Sequence, residues 1–318
     1  YSLIGAQAIA QRSDPTLRRT GYHTGNRVGI SFYNDGQIAG FNLGVDIRGE
    51  WPLGSGFNYI GDLIPMIGVE FVTSRGDTLH SVTISRGPRN RQSEERHPQF
   101  GYFWGWNPVP GYLNANQSSV AMSHMPNTWP PNGWPEHPDW VDAEGKTQWN
   151  GYFGRGIANA DQESYYVADD QWDDEFNSYF KPDSTDSTRN GMGLKMSVRG
   201  FQWSSFLAED AIFWLYDIQN EGTTTYRKSV FGTVVGTLAG GDGDSQDDLG
   251  FFDINDNITY SWDSDNKGNK GQKVGYVAYA FLESPGNPFD GIDNDGDSQD
   301  PSSPHFTQQD FDSVNYPV

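Results

Sequence analysis

One hexapeptide is written twice in this chain. Asp242-Gly243-Asp244-Ser245-Gln246-Asp247 recurs as Asp295-Gly296-Asp297-Ser298-Gln299-Asp300, and the second copy reaches back through Asp290, Asp293 and Asn294. Carboxylates at alternating positions of a tight, glycine-containing turn bring their oxygens toward one point. They repel each other there unless a hard cation lies between them, and Ca²⁺ accepts about six to eight such oxygens in flexible geometry. The repeat therefore predicts calcium in loops at 240–248 and 290–300. A weaker Asp-rich stretch at 263–268 sets Lys267 where a ligand is wanted.

Composition limits what can surround these loops. The chain has 318 residues, enough for one large all-β domain or two smaller ones. Only 35% are hydrophobic but 14% are aromatic, so a core must rest on Trp, Tyr and Phe. With 38 Gly and 18 Pro, turns and short strands are favoured, and no helical stripe is long enough to anchor an α domain. The formal charge of −21 repels nucleic acid and anionic membrane surfaces. Without cysteine there are no disulfides, no Cys-ligated metal and no thiol catalysis. No apolar run is long enough to insert into a membrane. The chain begins at Tyr1 rather than Met, as expected of a secreted protein whose signal peptide has been removed, or of a fragment.

Along the chain, residues 1–13 form an apolar arm within a segment of about 1–20 that stands outside the body at 21–318. Ile4, Ala6, Ala8 and Ala10 share one face of an extended strand, and Leu3 and Ile9 lie on the other. Such an arm fills a groove in its own domain or completes the sheet of a neighbour. Strands are expected at 27–33, 38–43, 66–73 and 78–85, divided by turns at Asn34-Asp35-Gly36, Gly54-Ser55-Gly56 and Arg75-Gly76-Asp77. The last is read as a hairpin turn rather than an adhesion tripeptide. A long ordered insertion follows at about 99–190. It is Trp- and Pro-rich, with Trp104, Trp106, Trp129, Trp134 and Trp140 either packing it together or stacking on sugars. Residues 161–176 are acidic, with Asp169, Asp170, Asp173, Asp174 and Glu175, and read as a solvated loop before a cation site. Further strands are expected at 193–198, 211–220, 226–238, 257–262 and 275–282.

Several segments together resemble a known group. The pieces at 128–140, 149–170, 208–222, 247–253 and 281–300 keep the order of a family of secreted, β-rich bacterial surface proteins, common in bacteria that use type IX secretion. The most specific are the run from Asn159 to Tyr166 and the Asp cluster at 290–297. The resemblance implies a large β-rich protein on the bacterial cell surface, often followed by further β modules. The Asp-rich motif in turn resembles thrombospondin-type and dockerin-type calcium loops. It implies Asp293, Asp295, Asp297 and Asp300, with Asp290 at the loop entry, as ligands. The first copy departs from it, since Gly240 stands where Asp293 stands in the second. There Asp242, Asp244 and Asp247 need help from Asp248 or Asp253. The arm resembles the donor strand of pilus-type fibrils.

Signatures of catalysis do not accumulate. There is no His-Glu-x-x-His, no Gly-x-Ser-x-Gly and no phosphate-binding glycine loop, and six histidines are scattered. The sequons at Asn116 and Asn257 are candidate glycosylation sites. The expectation is an antiparallel β-sandwich or jelly-roll without enzymatic activity. It is a secreted structural subunit that polymerises head-to-tail with itself through Leu3, Ile4, Ala6, Ala8, Ile9 and Ala10 and is stiffened by Ca²⁺. The alternatives are a carbohydrate-binding or polysaccharide-active domain, and an adhesin.

Overall fold

A computed structural model describes residues 12–40, 47–85, 99, 101–253 and 255–282. The chain is all-β and its strands pair antiparallel. It divides into two compact units, Tyr1–Leu238 and Ala239–Val318. The sequence suggests a single body because strand periodicity does not say which sheet a strand joins.

The first sheet begins with β1 (Thr20–His23), β2 (Gly29–Tyr33), β3 (Ile38–Ala39), β4 (Arg48–Glu50), β5 (Ile60–Val72) and β6 (Thr78–Ile84). The Asn34-Asp35-Gly36 turn joins β2 to β3. Gly36 takes φ +94°, and the buried Asp35 carboxylate lies 2.7 Å from the Arg18 guanidinium. Arg75-Gly76-Asp77 is a hairpin turn between β5 and β6. Thr73 Oγ1 accepts from the N–H groups of Arg75 and Asp77, and the Arg75 guanidinium lies 4.8 Å over the Tyr179 ring.

The second sheet draws on β7 (Asn107–Pro108), β8 (Ala121–Met122), β11 (Gln162–Asp169), β12 (Leu194–Gln202) and β13 (Phe213–Asn220). A small ribbon of β9 (Asn150–Gly151) and β10 (Gly154–Arg155) stands beside it in sequence. The order is β13-β12-β11-β7, with β8 also on β11. The chain then returns to the first sheet as β14 (Ser229–Thr237), which pairs with β5 along most of its length. The two sheets meet through aromatic rings. Phe32 lies 6.1 Å from Tyr166 and 5.2 Å from Trp214, and Tyr216 lies 5.5 Å from Phe231.

The region expected as an insertion supplies strands of this second sheet. β11 lies within the stretch read as an acidic loop, yet all of it except Gln162 is buried. A strand covered on both faces loses the alternation that marks half-buried strands. Of the acids at the end of β11 and beyond, Glu175 is exposed but the others are not simply solvated. Asp169 accepts from Ser13 N–H at 3.0 Å and from the Ser13 hydroxyl. Asp170 accepts from Arg189 at 2.8 Å, Met192 N–H at 2.7 Å and Leu194 N–H at 2.9 Å. Asp173 accepts from Thr83 Oγ1 at 2.9 Å, and Asp174 from Trp104 Nε1 at 2.8 Å. Each carboxylate serves a different partner, so the run acts as a set of internal crosslinks. Gly191, at φ +66°, allows the chain to pass Asp170. A Cβ there would come 2.2 Å from the Asp170 carbonyl oxygen.

The tryptophans pack much of this region. Trp134 and Trp149 are buried with Val109, Ala121, Tyr165 and Val167, and Tyr112, Trp129 and Trp140 pack against them at the edge. Replacing a ring as enclosed as Trp134 by Ala costs about 3–5 kcal/mol.

In the second unit β15 (Asp248–Asp253), β16 (Ile258–Asp263) and β17 (Tyr276–Ala280) form a three-stranded meander. β16 is its centre.

Candidate metal centre

The second unit brings acidic side chains together from three places. Asp244 and Asp247 stand in the turn before β15, Asp248 opens β15, and Asp263 closes β16. The ladder sets Asp248 directly opposite Asp263. Like charges paired across a ladder destabilise it. One carboxylate oxygen from each of Asp244, Asp247 and Asp263 lies within 4.8 Å of the others.

The local chain is shaped to permit this approach. Gly240 has φ +95°, and a Cβ on it would come 2.5 Å from Asp244 Oδ2 and 3.3 Å from Asp263 Oδ2. A side chain at 240 would thus enter the space the carboxylates share. The loop after β16 braces the turn. Asn269 donates its Nδ2 to the Asp242 carbonyl at 2.7 Å and its N–H to the Gly240 carbonyl at 3.1 Å. Lys267, which the sequence places where a ligand is wanted, directs its ammonium to Asp265 at 3.2 Å.

Hydrogen bonds satisfy only part of the cluster. Ala239 N–H donates to Asp248 Oδ2 at 3.1 Å, Lys267 N–H to Asp263 Oδ1 at 3.0 Å, and Ser264 Oγ to Asp247 Oδ2 at 3.0 Å. Asp244 Oδ2, Asp248 Oδ1 and Asp263 Oδ2 are shielded from solvent and have no hydrogen-bond partner among the described residues. Asp263 as a whole is only 4% exposed. Burial, aided by the carboxylates of Asp263, Asp247 and Asp244, pushes the Asp248 carboxyl up to about 6. Burial, with the charges of Asp263, Asp247 and Asp265, also raises Asp244. A shielded carboxylate oxygen without a donor is costly unless a cation or proton reaches it.

Among the ligands expected for the first loop, Asp244, Asp247 and Asp248 meet here. Asp242 is tied in through its carbonyl and is not one of the three residues whose oxygens converge within 4.8 Å. Asp253 stands at the far end of β15, where its Oδ1 accepts from Asn255 N–H at 3.0 Å. Asp263, from the weaker stretch, joins instead. Its role depends on the β15–β16 register, which spacing along the chain does not encode. Asp290, Asp293, Asp295, Asp297 and Asp300 lie outside the described residues. So do the assembly positions Leu3, Ile4, Ala6, Ala8, Ile9 and Ala10.

Comparison with protein-family models, with curated proteins and with solved structures finds no match to this chain. No helix among the described residues is long and apolar enough to cross a membrane.

The remaining candidate positions fall as follows. Trp106 and Trp134 are at most 1% exposed, which closes them to any ligand. Trp104 is held by Asp174, and Trp140 stacks on His137 at 3.9 Å. Trp129 is half-buried at a groove. Asn116 and Asn257 are both exposed, the latter in a turn at φ +51°.

Proposed function

We propose that the chain is an extracellular structural protein whose second unit is stiffened by Ca²⁺ held among Asp244, Asp247, Asp248 and Asp263. The reading rests on the three shielded carboxylate oxygens without partners at the end of the β15–β16 ladder. Four carboxylates with no nitrogen or sulfur donor are a hard-cation set. Opposite ligands of one Ca²⁺ stand about 4.6–5.2 Å apart, and those of Mg²⁺ about 4.0–4.2 Å. One oxygen from each of Asp244, Asp247 and Asp263 lies within 4.8 Å of the others, close enough for the three to share one such ion, with Asp248 beside them across the ladder. The ion joins the turn to both strand ends and stabilises the folded form by mass action.

The proposal extends to assembly. The apolar arm at 1–11 adds to a neighbouring copy's sheet and links subunits head-to-tail into a surface fibril or layer, by architectural analogy with donor strands. In this role the protein works at the bacterial cell surface, with itself as its main partner.

Calorimetric titration of Ca²⁺ into the whole chain tests the ion. The wild type is expected to bind one more Ca²⁺ than the Asp244→Asn, Asp263→Asn double variant. Identical stoichiometry in wild type and the Asp244/Asp263 variant would remove the proposal.

A further inference from the structure

Beyond the cation centre, the first unit carries a concave groove of about 620 Å³ beside Trp129. That volume falls within the range of small-ligand sites. We infer that this groove binds a neutral saccharide, with Trp129 as the stacking surface.

The ring of Trp129 is held in place before any ligand arrives. Its Nε1–H donates to the Met122 carbonyl at 2.7 Å, and the ring packs on Trp149 at 5.7 Å with a tilt of 41°. With its only donor used internally, the side chain offers a ligand ring surface and no hydrogen bond. Pro130 and Pro131 continue that apolar wall.

The opposite rim is polar. Asn127 and Lys146 are exposed there, beside Asp142 and Gln148. Asn127 Nδ2 is engaged only by Gln117 Oε1, at 3.2 Å, and Lys146 takes part in no ion pair among the described residues. The rim is also fixed. Asp142 Oδ1 accepts from the N–H groups of Glu144 at 3.0 Å and Lys146 at 2.8 Å, and Val141 bridges to Thr147. Binding therefore orders little chain.

A pyranose ring has an apolar C–H face and a rim of hydroxyls, each both donor and acceptor. It meets a fixed aromatic wall on one side and amide, ammonium and carboxylate groups on the other. The charges lining the groove cancel, with one cation at Lys146 and one carboxylate at Asp142. The chain as a whole carries −21. Uronate or phosphorylated glycans thus gain no net attraction, and a neutral sugar is favoured. A proline-rich peptide also stacks on tryptophan but leaves most of this polar rim unmatched.

The test uses the full chain with soluble oligosaccharides of glucose, mannose, xylose and N-acetylglucosamine, an oligogalacturonate, and a proline-rich peptide. Binding is followed by calorimetry and tryptophan fluorescence. At least one neutral oligosaccharide is expected to bind, more tightly than the oligogalacturonate. Trp129→Ala is expected to weaken it by roughly tenfold or more. Because that change also disturbs packing on Trp149, the deciding variant is Asn127→Ala with Lys146→Ala. It should keep the wild-type melting temperature and near-ultraviolet circular dichroism and lose affinity by roughly three- to tenfold. The inference is overturned if no neutral oligosaccharide binds, if the double variant binds like wild type, or if only the peptide or the oligogalacturonate binds.

Discussion

Asp248 and Asp263 face each other as direct cross-strand neighbours at the end of the β15–β16 ladder, and each keeps one shielded oxygen without a partner. The buried carboxylate of Asp170, by contrast, is saturated by Arg189, Met192 and Leu194. The contrast separates carboxylates that hold the fold together from those that the proposed cation would satisfy.

The first prediction follows from that pair. Asp263→Asn removes one negative charge and one ligand. In chelator the variant should be as stable as wild type, or more stable by up to about 1 kcal/mol, because a like-charge cross-strand pair is gone. In calcium at about a hundred times its Kd the wild type gains about 2.7 kcal/mol at this site, and the variant should lose most of that gain. Differential scanning calorimetry of both proteins with and without chelator measures it. Equal calcium-induced shifts would refute the assignment of Asp263.

A second prediction concerns the buried ion pair of the first unit. Arg189 and Asp170 are both fully enclosed, 2.8 Å apart. Asp170→Asn leaves the guanidinium as an uncompensated buried charge, and removing one partner of such a pair costs about 3–5 kcal/mol. Urea denaturation should show that loss with an unchanged m-value. A loss below about 1 kcal/mol would mean that water reaches Arg189.

The third is a pH dependence. Burial, with the charge of Asp170 next, pushes the Asp173 carboxyl up to about 8. A carboxyl raised in the folded state favours folding when protonated. Its contribution is complete below its unfolded value near 4 and is lost as pH rises through about 8. His23 acts in the opposite direction, since burial lowers it to about 3 and its contribution is lost only as pH falls below its ordinary value of 6.5. Between about pH 7 and 8, above the range in which Asp170 and Asp248 (both raised to about 6) lose their protons, the Asp173 effect dominates, at up to about 1.4 kcal/mol per pH unit. Asp173→Asn keeps an acceptor for Thr83 Oγ1 and should flatten stability across that window in urea titrations. An unchanged slope would place the titration elsewhere.

How far the sequence reveals this molecule varies by element. The turn chemistry at Asn34-Asp35-Gly36 and Arg75-Gly76-Asp77 is local, and both turns stand where their residues predict. Alternation marks β6 and β16 for the same reason. β11 is hidden because both its faces are covered and its ends are acidic. Of the proposed cation centre, Asp244, Asp247 and Asp248 are legible as one cluster. Asp263 comes from 15 residues beyond Asp248, brought in by strand register alone. The acids at 169–174 mislead because a run of carboxylates looks the same whether it faces water or a ring of buried donors.

The last prediction concerns where the assembly arm ends. Arg12 and Ser13 already belong to the folded body. Arg12 pairs with Asp186 at 2.8 Å, Ser13 N–H donates to Asp169, and the Ser13 carbonyl accepts from Trp172 Nε1 at 2.8 Å. Deleting 1–13 would strip donors from Asp169, a buried carboxylate, and should cost about 1–3 kcal/mol whatever the arm does. Deleting only 1–11 leaves those bonds intact. That shorter truncation should melt like monomeric wild type and yet form no fibrils under negative-stain electron microscopy, and a synthetic peptide of residues 1–11 should bind it as a free strand. If the 1–11 deletion still polymerises, subunits are joined through some other surface. If it melts well below wild type kept as a dispersed monomer, the arm folds into its own subunit and strand exchange is excluded.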